Sequence, residues 1–139
     1  MIRTLLTLAA GIGVGAMGMT AAHHDGEQVA QIAERNIVEK LDGKAAKATV
    51  VEVTLEPGQA GIPHRHPGPG FGYVLEGEYE WGVDDQPAKV LKAGETFYEP
   101  TGCLHRVSKN PSTQRKTRIL AVVLHPRDVE QIVIPEPQK

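Results

Sequence analysis

Short apolar runs separated by turn-forming residues most strongly constrain what this chain can fold into. From Ala48 to Leu124 the runs are rich in Val, Thr, Tyr and Leu, with Gly and Pro between them. β-branched and aromatic residues favour strands, whereas Gly and Pro interrupt them. About seven or eight such strands, roughly ten residues apart and without crossover helices, predict an all-β protein with an antiparallel barrel or two-sheet sandwich.

Three parts of this pattern carry expectations of their own. The range from Phe71 to Val83 predicts a hairpin that turns near Gly77. Residues 27–41 carry apolar side chains at helical spacing but could equally form a lead-in strand, so both possibilities stay open. The tail, residues 128–139, is expected to add an edge strand or to reach a partner subunit.

The first residues have the pattern of a secretory signal peptide. Arg3 is followed by an uncharged run that ends in small residues at Ala22. The alternative is a retained membrane anchor, but four glycines between Gly11 and Gly18 disfavour a stable spanning helix. We expect a periplasmic or secreted mature protein that does not contact the membrane. The expected division of the chain is a signal peptide (1–22), an N-terminal extension (23–44), a barrel (45–127) and a tail (128–139).

Composition and charge narrow the class of partner. The 139 residues are 40% hydrophobic, which suits one globular domain rather than two. The formal net charge is −2 with both signs interspersed, so no basic surface indicates nucleic acid or anionic lipid. The single cysteine, Cys103, excludes an intramolecular disulfide and a cysteine-rich zinc site within one chain. A small molecule is therefore the expected partner.

Three histidines have a spacing that indicates a metal site. Successive side chains of a strand alternate faces, so His64 and His66 would point the same way. Imidazole is the commonest protein ligand for zinc, copper, iron and nickel, and His105 from a neighbouring strand could complete one face of an ion. The alternative is a pair of partly exposed strand histidines without a ligand.

Two longer motifs contain these histidines. They are Gly58-(x5)-His64-x-His66-(x3)-Gly70-(x6)-Gly77 and Gly94-(x5)-Pro100-x-Gly102-(x2)-His105, followed by Asn110. With glycines, a proline and histidines at these spacings, the chain resembles the cupin superfamily of small, single-domain jelly-roll β-barrels. The resemblance implies a homodimer and a metal site held by His64, His66 and His105.

Gly70 departs from the full motif of this family. Cupins with that motif carry a glutamate ligand at this position, and glycine has no side chain to replace it. The resemblance then implies a three-histidine site with positions open for water or substrate. Such sites are similar to those of thiol dioxygenases and of diketone-cleaving or gentisate-type dioxygenases, which use Fe(II). On this interpretation a Gly70→Glu substitution should tighten metal binding.

Together, the signal-peptide pattern and the resemblance imply an extracytoplasmic metal-binding cupin. The first hypothesis is a non-haem metal dioxygenase that acts on a small oxygen-rich or aromatic molecule. The second is a non-enzymatic small-molecule or metal-binding or sensor cupin, and the third is a metal-assisted isomerase or lyase. Imidazoles suit several divalent transition metals, so the expected order is Fe(II), then Zn or Ni, then Mn.

Three residues are candidates for catalysis beside the ion. Glu99 could face the metal as a replacement carboxylate or a general base, although a strand-end glutamate paired with a surface Lys or Arg is the alternative. Tyr98 is the alternative to Glu99, because its side chain would point to the opposite face of the strand. The Tyr73 hydroxyl could contact a polar substrate. An isomerase or lyase would need such a base.

Other side chains carry expectations about packing. Cys103 would share a face with His105, where its thiol could act beside the site or fill a small gap. Phe71 and Leu75 are expected in the core or lining a pocket, and His125 is expected at a solvated strand end.

Overall fold

The chain folds into two antiparallel β-sheets that pack against each other. The computed structural model describes residues 22–24 and 27–137. Within these residues the elements are β1 (Ala22–His24), β2 (Glu27–Leu41), β3 (Lys44–Leu55), β4 (His64–Arg65), β5 (Gly70–Glu76), β6 (Glu78–Val83), β7 (Lys89–Lys92), β8 (Thr96–Glu99), β9 (His105–Lys109), β10 (Thr117–Pro126) and β11 (Ile134–Pro135). Over the same residues, none of the structure is a helix with the length and apolar character needed to span a membrane. Apart from Ala22, the predicted signal peptide lies outside the described residues.

The strands are divided between a six-stranded and a five-stranded sheet. The first sheet has the order β1-β2-β3-β10-β5-β8, and the second has the order β11-β4-β9-β6-β7. The strand pairings in both sheets are antiparallel. The prediction of an all-β, antiparallel jelly-roll fold is confirmed, although the two sheets do not join into one closed barrel.

The predicted hairpin from Phe71 to Val83 is wrong. β5 pairs with β10 and β8 in the first sheet, whereas β6 pairs with β9 and β7 in the second. The chain changes sheets at Gly77, where φ is +79° and a Cβ atom would lie 2.4 Å from the Lys116 carbonyl oxygen. A left-handed backbone conformation with no room for a side chain requires glycine. The local sequence pattern shows the turn but not which strands pair.

Both ends of the described chain are held by strand pairing. Residues 27–41 form the strand β2 instead of a helix, because they pair along β3 from Glu27 to Leu41 with two register shifts. In the tail, β11 pairs with β4, and the Arg65 guanidinium binds the Glu136 carboxylate at 3.0 Å. Tertiary pairing therefore overrides the helical spacing of the apolar residues in β2.

The core lies between the two sheets. Leu55, Val74 and Ile119 from the first sheet contact Tyr79 from the second. Because side chains alternate along β5, the inward direction of Val74 leaves Phe71 and Leu75 exposed on the outer face. Leu75 therefore lies neither in the core nor in a cavity wall, whereas Phe71, although 49% exposed, lines a cavity, which is one of the two places expected for it.

His125 is also placed differently from the expectation. The sequence suggests a solvated strand end, but the side chain is fully buried. Its Nε2 atom lies 2.8 Å from the Thr49 hydroxyl oxygen, and Thr49 is on the neighbouring strand β3. A cross-strand hydrogen bond satisfies the ring, so His125 is a structural residue of the first sheet.

Asn110, the last residue of the second motif, holds three loop segments together. The two hydrogens of its buried Nδ2 group are donated to three carbonyl oxygens, those of Leu55, Glu56 and Arg115 at 2.8–3.1 Å, so that one hydrogen is shared between two acceptors. An Asn110→Ala variant is expected to lose about 2–4 kcal/mol of unfolding free energy, because buried carbonyl groups lose their donor. Denaturant unfolding with the exposed Asn36→Ala as control tests this, and equal midpoints in the two variants would contradict it.

Candidate metal centre

The three predicted histidines converge where the second sheet faces the first. His64 lies in β4, His66 directly follows this strand, and His105 begins β9 and pairs with His64. The ring of His64 lies 4.8 Å from each of the other two rings, centroid to centroid. One nitrogen atom from each residue falls in a group whose members lie within 4.8 Å of one another. The structure therefore brings together the residues that the sequence suggests as ligands.

Backbone carbonyl groups engage one ring nitrogen of two of these histidines. The Nδ1 atom of His64 lies 2.8 Å from the Ile62 carbonyl oxygen, and the Nδ1 atom of His66 bonds the Ile132 carbonyl oxygen. A carbonyl oxygen only accepts, so both Nδ1 atoms carry a hydrogen, and each ring in its neutral form keeps a lone pair on Nε2. This arrangement orients imidazoles for metal binding. Because Ile132 belongs to the C-terminal tail, the tail fixes the orientation of His66.

A chain of hydroxyl groups fixes the third histidine differently. The Ser108 hydroxyl donates to the Glu27 carboxylate at 2.6 Å, and the Tyr79 hydroxyl donates to Ser108 at 2.9 Å. The Tyr79 oxygen is then free to accept from Nε2 of His105, which lies 3.1 Å away. His105 therefore carries its hydrogen on Nε2 and presents a bare Nδ1 atom to the site.

The Nδ1 atom of His105 is a buried acceptor without a hydrogen-bond donor. It has no partner among the described residues, and the nearest carboxylate atom, Oε1 of Glu99, lies 3.1 Å away. Two acceptors that face each other at this distance repel, and an unsatisfied buried polar atom costs about 1–3 kcal/mol. A cation between them removes both penalties, so this pair fits a metal ion.

The Glu99 carboxylate lies beside Gly70, the position at which the full family motif carries a glutamate. Gly70 in β5 pairs directly with Glu99 in β8. A Cβ atom built on Gly70 would lie 3.6 Å from the Glu99 Cβ atom and 3.7 Å from its Oε2 atom. A side chain at position 70 would thus extend into the space that the Glu99 carboxylate occupies. The neighbouring strand supplies the acid that Gly70 lacks.

The partners of Glu99 differ from those of a surface glutamate. Its side chain is 2% exposed, and its Oε1 atom accepts a hydrogen bond from the Trp81 indole at 2.8 Å. Its Oε2 atom lies 3.2 Å from Nε2 of His66. The alternative interpretation, a strand-end glutamate paired with a surface Lys or Arg, does not describe this residue.

The ionisable groups of the cluster shift one another's pKa. Burial raises the pKa of the Glu99 carboxyl, but the hydrogen bond from His66, the charge of His105 and the Trp81 indole outweigh it and lower the pKa to about 2. Burial lowers the pKa of His105 to about 4, so its imidazole is neutral near pH 7. Burial also lowers the pKa of His66, but Glu99 more than compensates and raises it. One carboxylate beside imidazoles is a suitable donor set for a divalent ion.

The dimensions of the cluster also suit such an ion. Nitrogen ligands at about 2.0–2.1 Å from an ion lie at most about 4.2 Å apart. The three histidine nitrogens lie within 4.8 Å of one another, which is only slightly more than this separation. His64, His66, His105 and Glu99 are therefore the residues that would hold a divalent transition metal.

The two tyrosine candidates lie outside this cluster. Tyr73 and Tyr98 are 44% and 51% exposed, and both belong to the outer face of the first sheet. The cavity at the histidines has a volume of about 60 Å³ and is lined by Phe97 and Glu99 of β8, but not by Tyr98 between them. Alternation along β8 thus places Glu99 at the site and Tyr98 away from it.

The sequence did not indicate Glu27, Tyr79 or Ser108 as part of the site. Ser108 lies three residues after His105, and regular alternation would place these two side chains on opposite faces. A register shift in the pairing of β6 with β9 turns both into the same interior. Tyr79 and Trp81 do obey alternation, so their common inward face was available from the sequence. Nothing in the local pattern relates Glu27 to the distant β9 strand.

Cys103 does not belong to the cavity wall, and its thiol is weakly acidic. Burial, together with the negative charges of Glu99 and Asp84, raises the pKa of Cys103 to about 11. Alkylation by iodoacetamide at pH 8 is expected to be about 100-fold slower than for an ordinary thiol, since only the thiolate reacts. Rates at pH 7–9.5 test this, with the guanidinium-unfolded chain as control. Equal rates in the folded and unfolded chain would contradict the prediction.

Comparison with known proteins is consistent with this site and fold. The family profile described as Cupin domain matches residues 51–123, which include all three histidines and Glu99. Sequence comparison with curated proteins finds no match.

Several solved structures share the fold. An RmlC-like cupin from Shewanella frigidimarina is 19% identical with a TM-score of 0.59, and the match covers 86% of this chain and 95% of that chain. KdgF from Halomonas sp. is 21% identical with a TM-score of 0.57, covering 74% and 82%. An oxalate oxidase in complex with the substrate analogue glycolate is 21% identical with a TM-score of 0.57, covering 84% and 60%. At these identities the likeness establishes the fold alone.

Proposed function

Because this chain belongs to the cupin family, we propose that it binds one divalent transition-metal ion through His64, His66, His105 and Glu99. The observation that carries the proposal is the bare, buried Nδ1 atom of His105 opposite the Glu99 carboxylate. Carbonyl groups hold the Nδ1 atoms of the other two histidines, so that each ring in its neutral form offers an Nε2 lone pair to the ion. Four protein ligands leave coordination positions open toward the cavity for a small molecule.

We further propose that the protein is a metal-dependent oxygenase. The expected metal is Fe(II), followed in order of preference by Zn or Ni and then Mn. When bound, such an ion supplies a Lewis acid at which dioxygen and a small substrate can meet. The protein contributes the orientation of the ligands and a largely apolar wall that includes Val53, Ile119 and Val123. The oxalate oxidase and KdgF likenesses support an enzyme at this site by analogy of fold only.

Oxygen consumption distinguishes an oxygenase from the two other hypotheses. Fe(II)-loaded protein would be mixed with small oxygen-rich and aromatic molecules in an oxygen electrode, with the His66→Ala variant as control. Oxygen uptake lost in the variant supports the oxygenase. Ligand binding without uptake or product supports a non-enzymatic sensor or carrier. Oxygen-independent turnover would favour an isomerase or lyase, a proposal weakened because Tyr73 and Tyr98 lie away from the cavity.

We also propose that the protein is a homodimer through the outer face of β5 and β8. Phe71 and Tyr98 stack there at 5.2 Å between ring centroids, and Tyr73 and Leu75 lie exposed beside them. A contiguous apolar patch of this kind is typical of an interface, and β8 is an edge strand that a second copy could cover.

Light scattering after size-exclusion chromatography tests the dimer. The wild-type chain is expected at twice its monomer mass, and Tyr98→Glu is expected to shift it to the monomer because a charge would enter the apolar interface. Val38→Glu, at a residue that is 93% exposed on β2, serves as the matched control. A monomeric wild type, or a dimer in Tyr98→Glu, would contradict the proposal.

The last part of the proposal is export from the cytoplasm. It rests on the apolar, glycine-interrupted run before Ala22 and on the small residues that end it. Intact-mass analysis of the periplasmic fraction is expected to find a chain that begins near residue 23. Recovery of the uncleaved chain from the membrane fraction would support the anchor instead.

A further inference from the structure

A second carboxylate lines the cavity at the metal centre. Glu27, the first residue of β2, contributes to the wall together with Glu99. Among the described residues, no lysine or arginine lines this cavity. A charged ligand in this cavity would therefore interact mainly with the two negative carboxylates and with the positive ion.

The position of the Glu27 carboxylate is fixed by the surrounding residues. Its Oε1 atom accepts the hydrogen bond from Ser108 at 2.6 Å. A Cβ atom on Gly61 would lie 1.9 Å from the same oxygen, so the absence of a side chain at Gly61 leaves the space that this acid fills. Glu27 and His64 line the same cavity, so the charge of this acid lies beside the ligand cluster.

The charges at the site balance when a divalent ion is bound. The three imidazoles are neutral ligands, and the carboxylates of Glu27 and Glu99 together offset the two positive charges of the ion. An anionic ligand would give this cavity a net negative charge, which is unfavourable beside a wall that is mostly apolar. A neutral ligand with a hydrogen to donate would instead satisfy the free lone pairs of Glu27.

We infer that the cavity selects a small, uncharged molecule that carries a hydroxyl or amide hydrogen toward Glu27 while an oxygen or nitrogen atom takes an open position at the metal. The inference rests on the proposed metal site. The part of the ligand inside the cavity is limited to a few non-hydrogen atoms, because 60 Å³ holds about four to six water-sized groups. The inference also separates this chain from enzymes whose substrates are small carboxylates.

Glycolate and glycolamide test the inference, because they have the same shape and differ in charge. Protein loaded with Co²⁺ would first be analysed for bound cobalt and then titrated with each compound, following the visible absorption of the ion. The variants are Glu27→Gln, which keeps an acceptor for Ser108, and the exposed Glu39→Gln on the same strand. The quantity compared is the ratio of the two dissociation constants.

The wild-type protein is expected to bind glycolamide at least as tightly as glycolate. Glu27→Gln should tighten glycolate binding about tenfold relative to glycolamide, because one negative charge leaves the wall, whereas Glu39→Gln should leave the ratio unchanged. Tighter glycolate binding by the wild type, or an unchanged ratio in Glu27→Gln, would overturn the inference. An equal change for both compounds would also overturn it, since that result reports a structural effect. Failure to take up cobalt would instead refute the metal site itself, and it is detected before any ligand is added.

Discussion

Replacing Glu99 with glutamine is expected to weaken metal binding at least about 100-fold. Loss of a group that only orients a ligand typically costs 10–100-fold in metal affinity, and Glu99 is placed as a direct ligand. Glutamine preserves the shape and an acceptor for the Trp81 indole, which donates to Oε1 at 2.8 Å. Only the charge and the second carboxylate oxygen are lost, so the fold should be retained.

Competition with a chromophoric chelator measures this effect for the metal-free protein titrated with Zn²⁺. The matched control is Glu56→Gln, an exposed glutamate near the end of the β3 strand that is expected to bind like the wild type. Circular dichroism of both variants would verify that the sheets persist. An affinity for Zn²⁺ in Glu99→Gln within a factor of three of the control would show that Glu99 is not a ligand.

The second large effect is expected from transferring the carboxylate from position 99 in β8 to position 70 in β5. In the double variant Gly70→Glu/Glu99→Ala, the acid at position 70 would extend into the space vacated by Glu99, since the two Cβ positions are 3.6 Å apart. Gly70 does not have a left-handed φ angle, so the backbone accepts a side chain. We expect Glu99→Ala alone to lose metal binding and the double variant to recover most of it.

The single variant Gly70→Glu completes this double-mutant cycle. The sequence alone suggests that it tightens metal binding, but the structure changes the expected result, because the space is already filled by Glu99. Two carboxylates side by side should lower the unfolding free energy of the metal-free protein and leave metal affinity without a gain. Additive effects in the cycle, with no recovery in the double variant, would contradict the exchange of ligands across this strand pair.

The resemblance in sequence predicts the fold and the histidine cluster because both depend on spacing. His64 and His66 fall on one short segment, and His105 starts the strand that pairs with it. The motif glycines mark the turns that bring these segments together, as at Gly77. Spacing of this kind can be recognised in the sequence even when the pairing partners of the strands are unknown.

The remaining parts of the site depend on register, which the sequence does not show. The sequence offers Glu99 as a replacement carboxylate but equally as a surface glutamate, and only its pairing with Gly70 in the β5–β8 pair distinguishes the two. Ser108 faces the site only because β6 and β9 shift register beside it. Glu27 reaches the cavity through a strand that pattern alone left undecided between helix and sheet. A one-residue slip in any of these pairings would turn the side chain to the other face.

Elemental analysis of protein purified without a histidine tag or chelator tests the central claim most directly. The wild-type chain is expected to contain about one transition-metal ion per chain, and the His64→Ala variant, prepared in parallel, is expected to contain almost none. Thermal unfolding of both proteins before and after chelation should show stabilisation by metal in the wild type only. Equal metal content in the two proteins, or none in either after reconstitution, would contradict a metal site at these residues.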